Sequence, residues 1–173
     1  MRFLLFLIFL SVFSFTQVQS NIFYPVYSSI FSLNPNRWEF VMDKRSYGVE
    51  IAGYLKGYNW KTSPIIIYAE AINTNYYFDL FTKLTKIKRQ SKFNHIQLVS
   101  RTLPFPTTVS YDMTLYELPN VVYEYVTYFD INKHLILSFV MSSKDKKLLG
   151  QYFNDYKIIL QNFNKVSRSF KNR

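Results

Sequence analysis

The residue types able to do chemistry are few and scattered. His95 and His134 are the only imidazoles in the chain. With a carboxylate such as Asp130 or Glu124 they would supply the ligands of a metal site, provided that all of them converge. Each histidine falls near the start of a predicted strand, where a solvated side chain is the commoner outcome. Glu70 and Glu124 fall on mostly apolar strand faces. As sheet neighbours they would shift each other's pKa and form an acid–base pair; the alternative is that each meets a cation or water at a sheet end. Ser63 lies between Thr62 and Pro64, which suits a turn better than a nucleophile ringed by backbone donors. No Gly-x-Ser-x-Gly and no phosphate-cradling glycine loop occurs, and the chain has only four glycines. It has no cysteine, which excludes disulfides, thiol catalysis, thiolate metal sites and a lipid-modified cysteine. The expectation is no enzyme and no cofactor, with no catalytic, cofactor-binding or metal residue assigned.

Charge points instead to binding. The chain carries 21 Lys and Arg against 11 Asp and Glu, a net of +10. Residues 80–111 contain no acid, while Lys83, Lys86, Lys88, Arg89, Lys92 and Arg101 are basic. Residues 102–130 contain no base, while Asp112, Glu117, Glu124 and Asp130 are acidic. Such a protein is biased toward acidic partners or anionic surfaces. Lys83, Lys86, Lys88, Arg89 and Lys92 form the candidate partner-binding patch, for an acidic protein, an anionic lipid or an acidic glycan. In an exported protein, nucleic acid is the less expected target. The alternative is a solvated helix end whose cations complement the helix dipole. Trp60, in the loop GYNWKTSP at 57–64, is the remaining candidate. A loop aromatic either holds a ligand or packs over the end of the sheet with its N–H on a carbonyl.

These residues must be carried by a scaffold. The stretch MRFLLFLIFLSVFSFTQVQS has one basic residue, Arg2, before an apolar run from Phe3 to Phe15. That run is too short to span a bilayer. With the small residues Val18 and Ser20 behind it, it has the layout of a secretory signal peptide. Residues 1–20 are therefore set aside, and a secreted or periplasmic protein is expected. Residues 21–164 read as one domain, followed by a basic tail at 165–173 that should fray.

Within the domain, Ser29 to Leu33 is a short strand candidate. Trp38 to Met42 and Tyr47 to Leu55 should pair as a hairpin about a turn at 43–46. Ile65 to Ile72, apolar on both faces, should be a central strand. The period then changes. Tyr77, Leu80, Phe81, Leu84 and Ile87 recur at three and four residues and predict a helix with that face on the core, capped by Thr74 or Asn75. Lys83, Lys86 and Arg89 fall off that stripe. Strands follow at about His95–Thr102, Val109–Leu118, Val121–Phe129 and His134–Met141, with connections short enough for antiparallel neighbours. Tyr123, Tyr125 and Phe129 share one face, which reads as core under a helix more readily than as a stacking platform. A last helix should begin near Ser143, capped by Ser142 or Ser143, with an apolar stripe from Leu148 to Phe163. The order is strands, helix, four strands, helix: α+β, an antiparallel sheet flanked by helices.

The stretch from Pro35 to Asn73 adds a resemblance. Pro35 with Trp38 makes a Pro-x-x-Trp turn before the hairpin, and Gly57, Trp60, Ser63 and Pro64 make a Gly-x-x-Trp-x-x-Ser-Pro loop leading into an apolar strand. This resembles small exported bacterial proteins of the PsbP-like fold. The resemblance extends over roughly residues 29–163 and implies an αβα sandwich, no catalytic residue, and an accessory or binding role in the cell envelope or secreted space. The missing lipid-anchor cysteine departs from the lipoprotein members. The rival expectation is a small hydrolase acting on an envelope polymer. In the loop, Gly57 should permit a tight turn or positive φ, and Pro64 should open the next strand.

Overall fold

The computed structural model describes residues 29–30, 32–45, 48–93 and 95–171. The expected signal peptide at 1–20 lies outside the described residues. In chain order the elements are β1 (Trp38–Arg45), β2 (Gly48–Leu55), β3 (Ile65–Asn73), α1 (Phe78–Lys92), β4 (Gln97–Arg101), β5 (Tyr111–Leu118), β6 (Val122–Asn132), β7 (Leu135–Ser143), α2 (Lys146–Gln151) and α3 (Phe153–Lys171). The seven strands form one sheet in the order β1-β2-β3-β7-β6-β5-β4. Every neighbouring pair is antiparallel. The class is α+β, with the three helices α1, α2 and α3 accompanying the sheet among the described residues.

The strand register explains the core. Along β7 the side chains alternate between two apolar clusters. Leu137, Phe139 and Met141 join the larger, with Tyr156, Ile159, Leu160 and Phe163 of α3. Ile136 and Val140 join the smaller, against which Phe78 and Phe81 of α1 pack. A strand buried on both faces must read as a near-continuous apolar run, and LILSFVM does. In the larger cluster the Phe163 ring lies 5.0 Å from Phe129 and 5.1 Å from Phe139. Tyr125 packs on Phe153 at 4.7 Å, so the face shared by Tyr123, Tyr125 and Phe129 is core beneath a helix.

The Pro35–Trp38 turn is fastened at two levels. The N–H groups of Arg37 and Trp38 both donate to the Asn34 carbonyl. Trp38 is buried, its ring meets Tyr152 edge-on at 5.5 Å, and its Nε1 donates to Asp155 Oδ2 at 2.9 Å. Arg37 Nη1 donates to the same oxygen at 3.1 Å. A buried indole N–H needs such a partner, and Asp155 ties the start of β1 to the first turn of α3.

Several boundaries differ from expectation. Ser29 and Ile30 are helical, not extended, and the hydroxyl of Ser32 donates to the Ser29 carbonyl, a contact across one turn. β1 runs on through Arg45 instead of turning at Asp43; residues 46 and 47 lie outside the described residues. The helix expected from residue 74 or 75 starts at Phe78 with Tyr77 as N-cap and no side-chain cap. Thr74 instead accepts the Tyr76 N–H on its hydroxyl. The final helix is capped by Asp145, which accepts from Lys147 N at 2.8 Å, and it breaks at Tyr152 into two segments. Ser143, expected as a cap, donates to the Pro64 carbonyl and accepts from Asp145 N. The backbone stays helical through Lys171, where a frayed tail was expected.

Tyr156 is the polar exception in the larger cluster. Its hydroxyl is buried, donates to the Phe139 carbonyl at 2.7 Å and shares a hydrogen bond with Thr127 Oγ1 at 2.9 Å. Tyr156→Phe leaves the buried Thr127 hydroxyl without that partner, so stability should fall by about 1–2 kcal/mol. Urea unfolding should show an earlier midpoint with an unchanged slope.

Candidate docking face on the first helix

α1 presents its basic and polar side to the sheet. Phe78, Phe81, Thr82, Thr85, Lys86 and Arg89 face inward, at the three- and four-residue spacing of one helical face. Beneath them the sheet carries carboxylates and phenols. Arg89 Nη1 meets Glu124 Oε2 at 2.6 Å, and Ser142 Oγ donates to Glu124 Oε1 at 3.1 Å. Arg89 also lies over the Tyr116 ring, 4.3 Å from its centre. Lys86 Nζ meets Asp112 Oδ1 at 2.5 Å, and Thr114 Oγ1 donates to Asp112 Oδ2. Lys86 and Arg89 of the basic run thus meet Asp112 and Glu124 of the acidic run across one interface.

Burial and charge act together in this layer. Burial pulls the Arg89 guanidinium down, and the adjoining Glu124 carboxylate with its hydrogen bond more than offsets this, so the net shift is upward. Burial, with the nearby carboxylates, pushes the Tyr128 phenol up to about 12. Burial pushes Tyr68 and Tyr116 up as well, with Glu124 adding to the rise at Tyr68 and Tyr128 at Tyr116. All three stay neutral at ordinary pH. The Tyr116 hydroxyl and Ser138 Oγ are buried with no hydrogen-bond partner among the described residues.

The candidate patch therefore divides. Lys86 and Arg89, expected off the core side, are pinned inward by ion pairs, because the strands below supply the acids that α1 itself lacks. Lys83, Lys88 and Lys92 are exposed, and Lys92 Nζ lies 5.3 Å from the centre of the Phe93 ring. The predicted apolar stripe is turned the other way. Tyr77 is 72% exposed, Leu80 44%, Leu84 40% and Ile87 50%. Of the stripe only Phe81 packs inward, edge-on to Tyr128 at 5.3 Å. With about 3.6 residues per turn, the seam lies opposite the sheet, with Lys83 on one flank and Lys88 and Lys92 on the other. At the N-terminal end, Tyr76 and Tyr77 line a cleft of about 420 Å³ that also holds Asp130 and Lys133.

The other candidates lie apart. The loop at 57–63 is closed on itself. Asn59 Oδ1 accepts from Lys61 N and Thr62 N, and Ser63 Oγ accepts from Leu55 N and donates to the Ile65 carbonyl. Ser63 is thus a turn residue. Gly57 has φ +86°, while a Cβ there would meet nothing within 4 Å, so backbone conformation and not space requires glycine. Trp60, expected over the sheet end, is 41% exposed, with Lys61 Nζ 5.7 Å from its ring centre. Glu70 stands opposite Ser138 and Glu124 opposite Ser142, so β7 separates the two glutamates. His95 and His134 are both exposed. Among the described residues no three His, Asp or Glu side chains gather at metal-binding distance, and no helix is long and apolar enough to cross a membrane. In comparisons by sequence and by structure the chain matches no known family, curated protein or solved structure.

The seam was found by its spacing and assigned to the wrong side. The signal that places it outside is the second stripe, Phe78, Phe81, Thr82 and Thr85, together with the complementary charge runs.

Two outcomes follow. Arg89→Gln leaves Glu124 partly buried without its cation and should cost about 2–3 kcal/mol, while Lys83→Gln should stay within about 0.5 kcal/mol; chemical denaturation of both variants checks the division. The raised phenols bind protons more tightly folded than unfolded. The stabilisation these tyrosines contribute should be complete below pH 10, fall as the unfolded tyrosines ionise, and be lost as pH rises through about 12 for Tyr128. Phenolate absorbance against pH should show a late-titrating group that Tyr128→Phe reduces.

Proposed function

We propose that the chain is an exported, non-catalytic binding or accessory module on a PsbP-like αβα sandwich, which engages an acidic partner or anionic surface through the outer face of α1. The observation that carries this reading is the seam itself. Four large apolar residues stand exposed in register on the side of α1 opposite the sheet, with three exposed lysines along their flanks. Scattered surface leucines need no explanation, but an ordered apolar row rimmed by one sign of charge is the composition of an interaction surface. The packing of α1 and α3 residues into separate clusters, and the buried Trp38 after its Pro35 turn, support the sandwich. The export reading rests on the apolar run at 3–15 with its small-residue end. The non-catalytic reading is supported by the self-bonded Ser63, the separated glutamates and the exposed histidines.

The test uses envelope material from the native source and the exported protein. Binding should be retained at low salt and weaken steeply as ionic strength rises, because exposed charges are screened over about 8 Å at physiological salt. Replacing Lys83, Lys88 and Lys92 together by Gln should remove most of the binding with folding unchanged. Binding that survives those changes with the same salt dependence overturns the proposal.

A further inference from the structure

Resting on that reading, we infer that the occupant of the α1 face is the surface of an anionic lipid bilayer, in which the helix lies parallel to the membrane plane with its seam among the acyl chains. Three observations choose this occupant. First, the seam has the makeup of an interfacial helix. Leu80, Leu84 and Ile87 supply branched aliphatic area, and Tyr76 and Tyr77, both exposed, stand at one end. Tyrosine favours the boundary between headgroup and hydrocarbon, where its ring is immersed and its hydroxyl is wet. Secondly, Lys83 on one flank and Lys88 and Lys92 on the other place ammonium groups beside the seam on both sides. Their alkyl stems can lie along the apolar layer while the charges reach lipid phosphates. Thirdly, a second copy of the chain is opposed by charge. Pairing two such seams brings lysines of the same sign together, and Asp79 is the sole acid on α1 to offset them. The scaffold suits the geometry, because Arg89 and Lys86 hold α1 rigidly on the sheet and fix which side faces out.

The test compares variants of the exported chain, all in the same processed form. Binding is measured by co-sedimentation with protein-free vesicles of phosphatidylcholine alone and of phosphatidylcholine mixed with phosphatidylglycerol. The expected result is binding to the mixed vesicles and little to phosphatidylcholine alone. At about 1 kcal/mol for each lysine near an anionic surface, the Lys83, Lys88 and Lys92 to Gln variant should bind on the order of a hundredfold more weakly. The double variant Leu80→Ser, Leu84→Ser should lose on the order of tenfold or more through its lost apolar area, with circular dichroism unchanged because both side chains are exposed. As an independent readout, Leu84→Trp should give blue-shifted emission on the mixed vesicles beyond the signal of the parent tryptophans. Lysine-dependent binding to envelope material with none to either vesicle overturns the lipid occupant and leaves the broader reading standing. The same holds if the chain dimerises and Leu80→Ser, Leu84→Ser yields a monomer without vesicle binding. Failure to bind envelope material and vesicles alike overturns both.

Discussion

The Arg89–Glu124 ion pair, 2.6 Å long, decides which side of α1 meets the sheet. An amphipathic helix normally turns its apolar stripe to the core. Here the strands beneath carry Glu124 and Asp112 on the face that α1 covers, and a carboxylate taken out of water needs a cation. Arg89 and Lys86 supply it only if the helix is rotated so that Leu80, Leu84 and Ile87 point away. Such a pair adds little net stability against a hydrophobic substitute of the same volume. Its effect is on orientation: the alternative rotation would bury leucines against two uncompensated carboxylates. Phe78 and Phe81, which recur on the inward side, supply the apolar contact that the rotated helix still needs.

The larger apolar cluster obeys a simpler rule. Its apolar residues come from odd positions of β7 and from a stripe of α3, and the polar groups named within it have partners. Tyr156 uses the Phe139 carbonyl and the Thr127 hydroxyl, and Trp38 uses Asp155. The self-bonded loop at 57–63 adds nothing to either side. It brings β2 back to β3 and leaves Trp60 partly exposed.

Most of the scaffold was legible. The run IIIYAEAI, apolar on both faces, located β3, short Pro- and Asn-containing connections gave the antiparallel order of β4 to β7, and the stripe from Leu148 to Phe163 gave the closing helix. Two of the misses have a tertiary cause. Side-chain contacts between distant segments overrode local signals: Ser143, a natural cap, was taken by the Pro64 carbonyl, so Asp145 capped α2 instead. In α1 the strongest apolar period was also the outward one. Spacing identifies a face but not the surface it meets, and only the charges on β5 and β6 decided that. The candidate lysines were read as one patch because sequence neighbours were assumed to share an environment, whereas Lys86 and Lys88 point to different sides of the helix.

The strand order has a consequence for how the chain is made. β3 pairs with β7 along nine residue pairs, from Ile65 opposite Ser143 to Asn73 opposite Leu135, and Trp38 closes on Asp155 across 117 positions. Contacts so distant in sequence slow folding, because the loop between them must close before they form. The N-terminal half, which emerges first in synthesis, holds β1, β2 and β3 with the β3 edge open. An unpaired apolar edge is a template for another chain. Until residues 135–143 arrive, that edge stays exposed to pairing with a neighbouring chain unless a chaperone covers it or collapse is delayed.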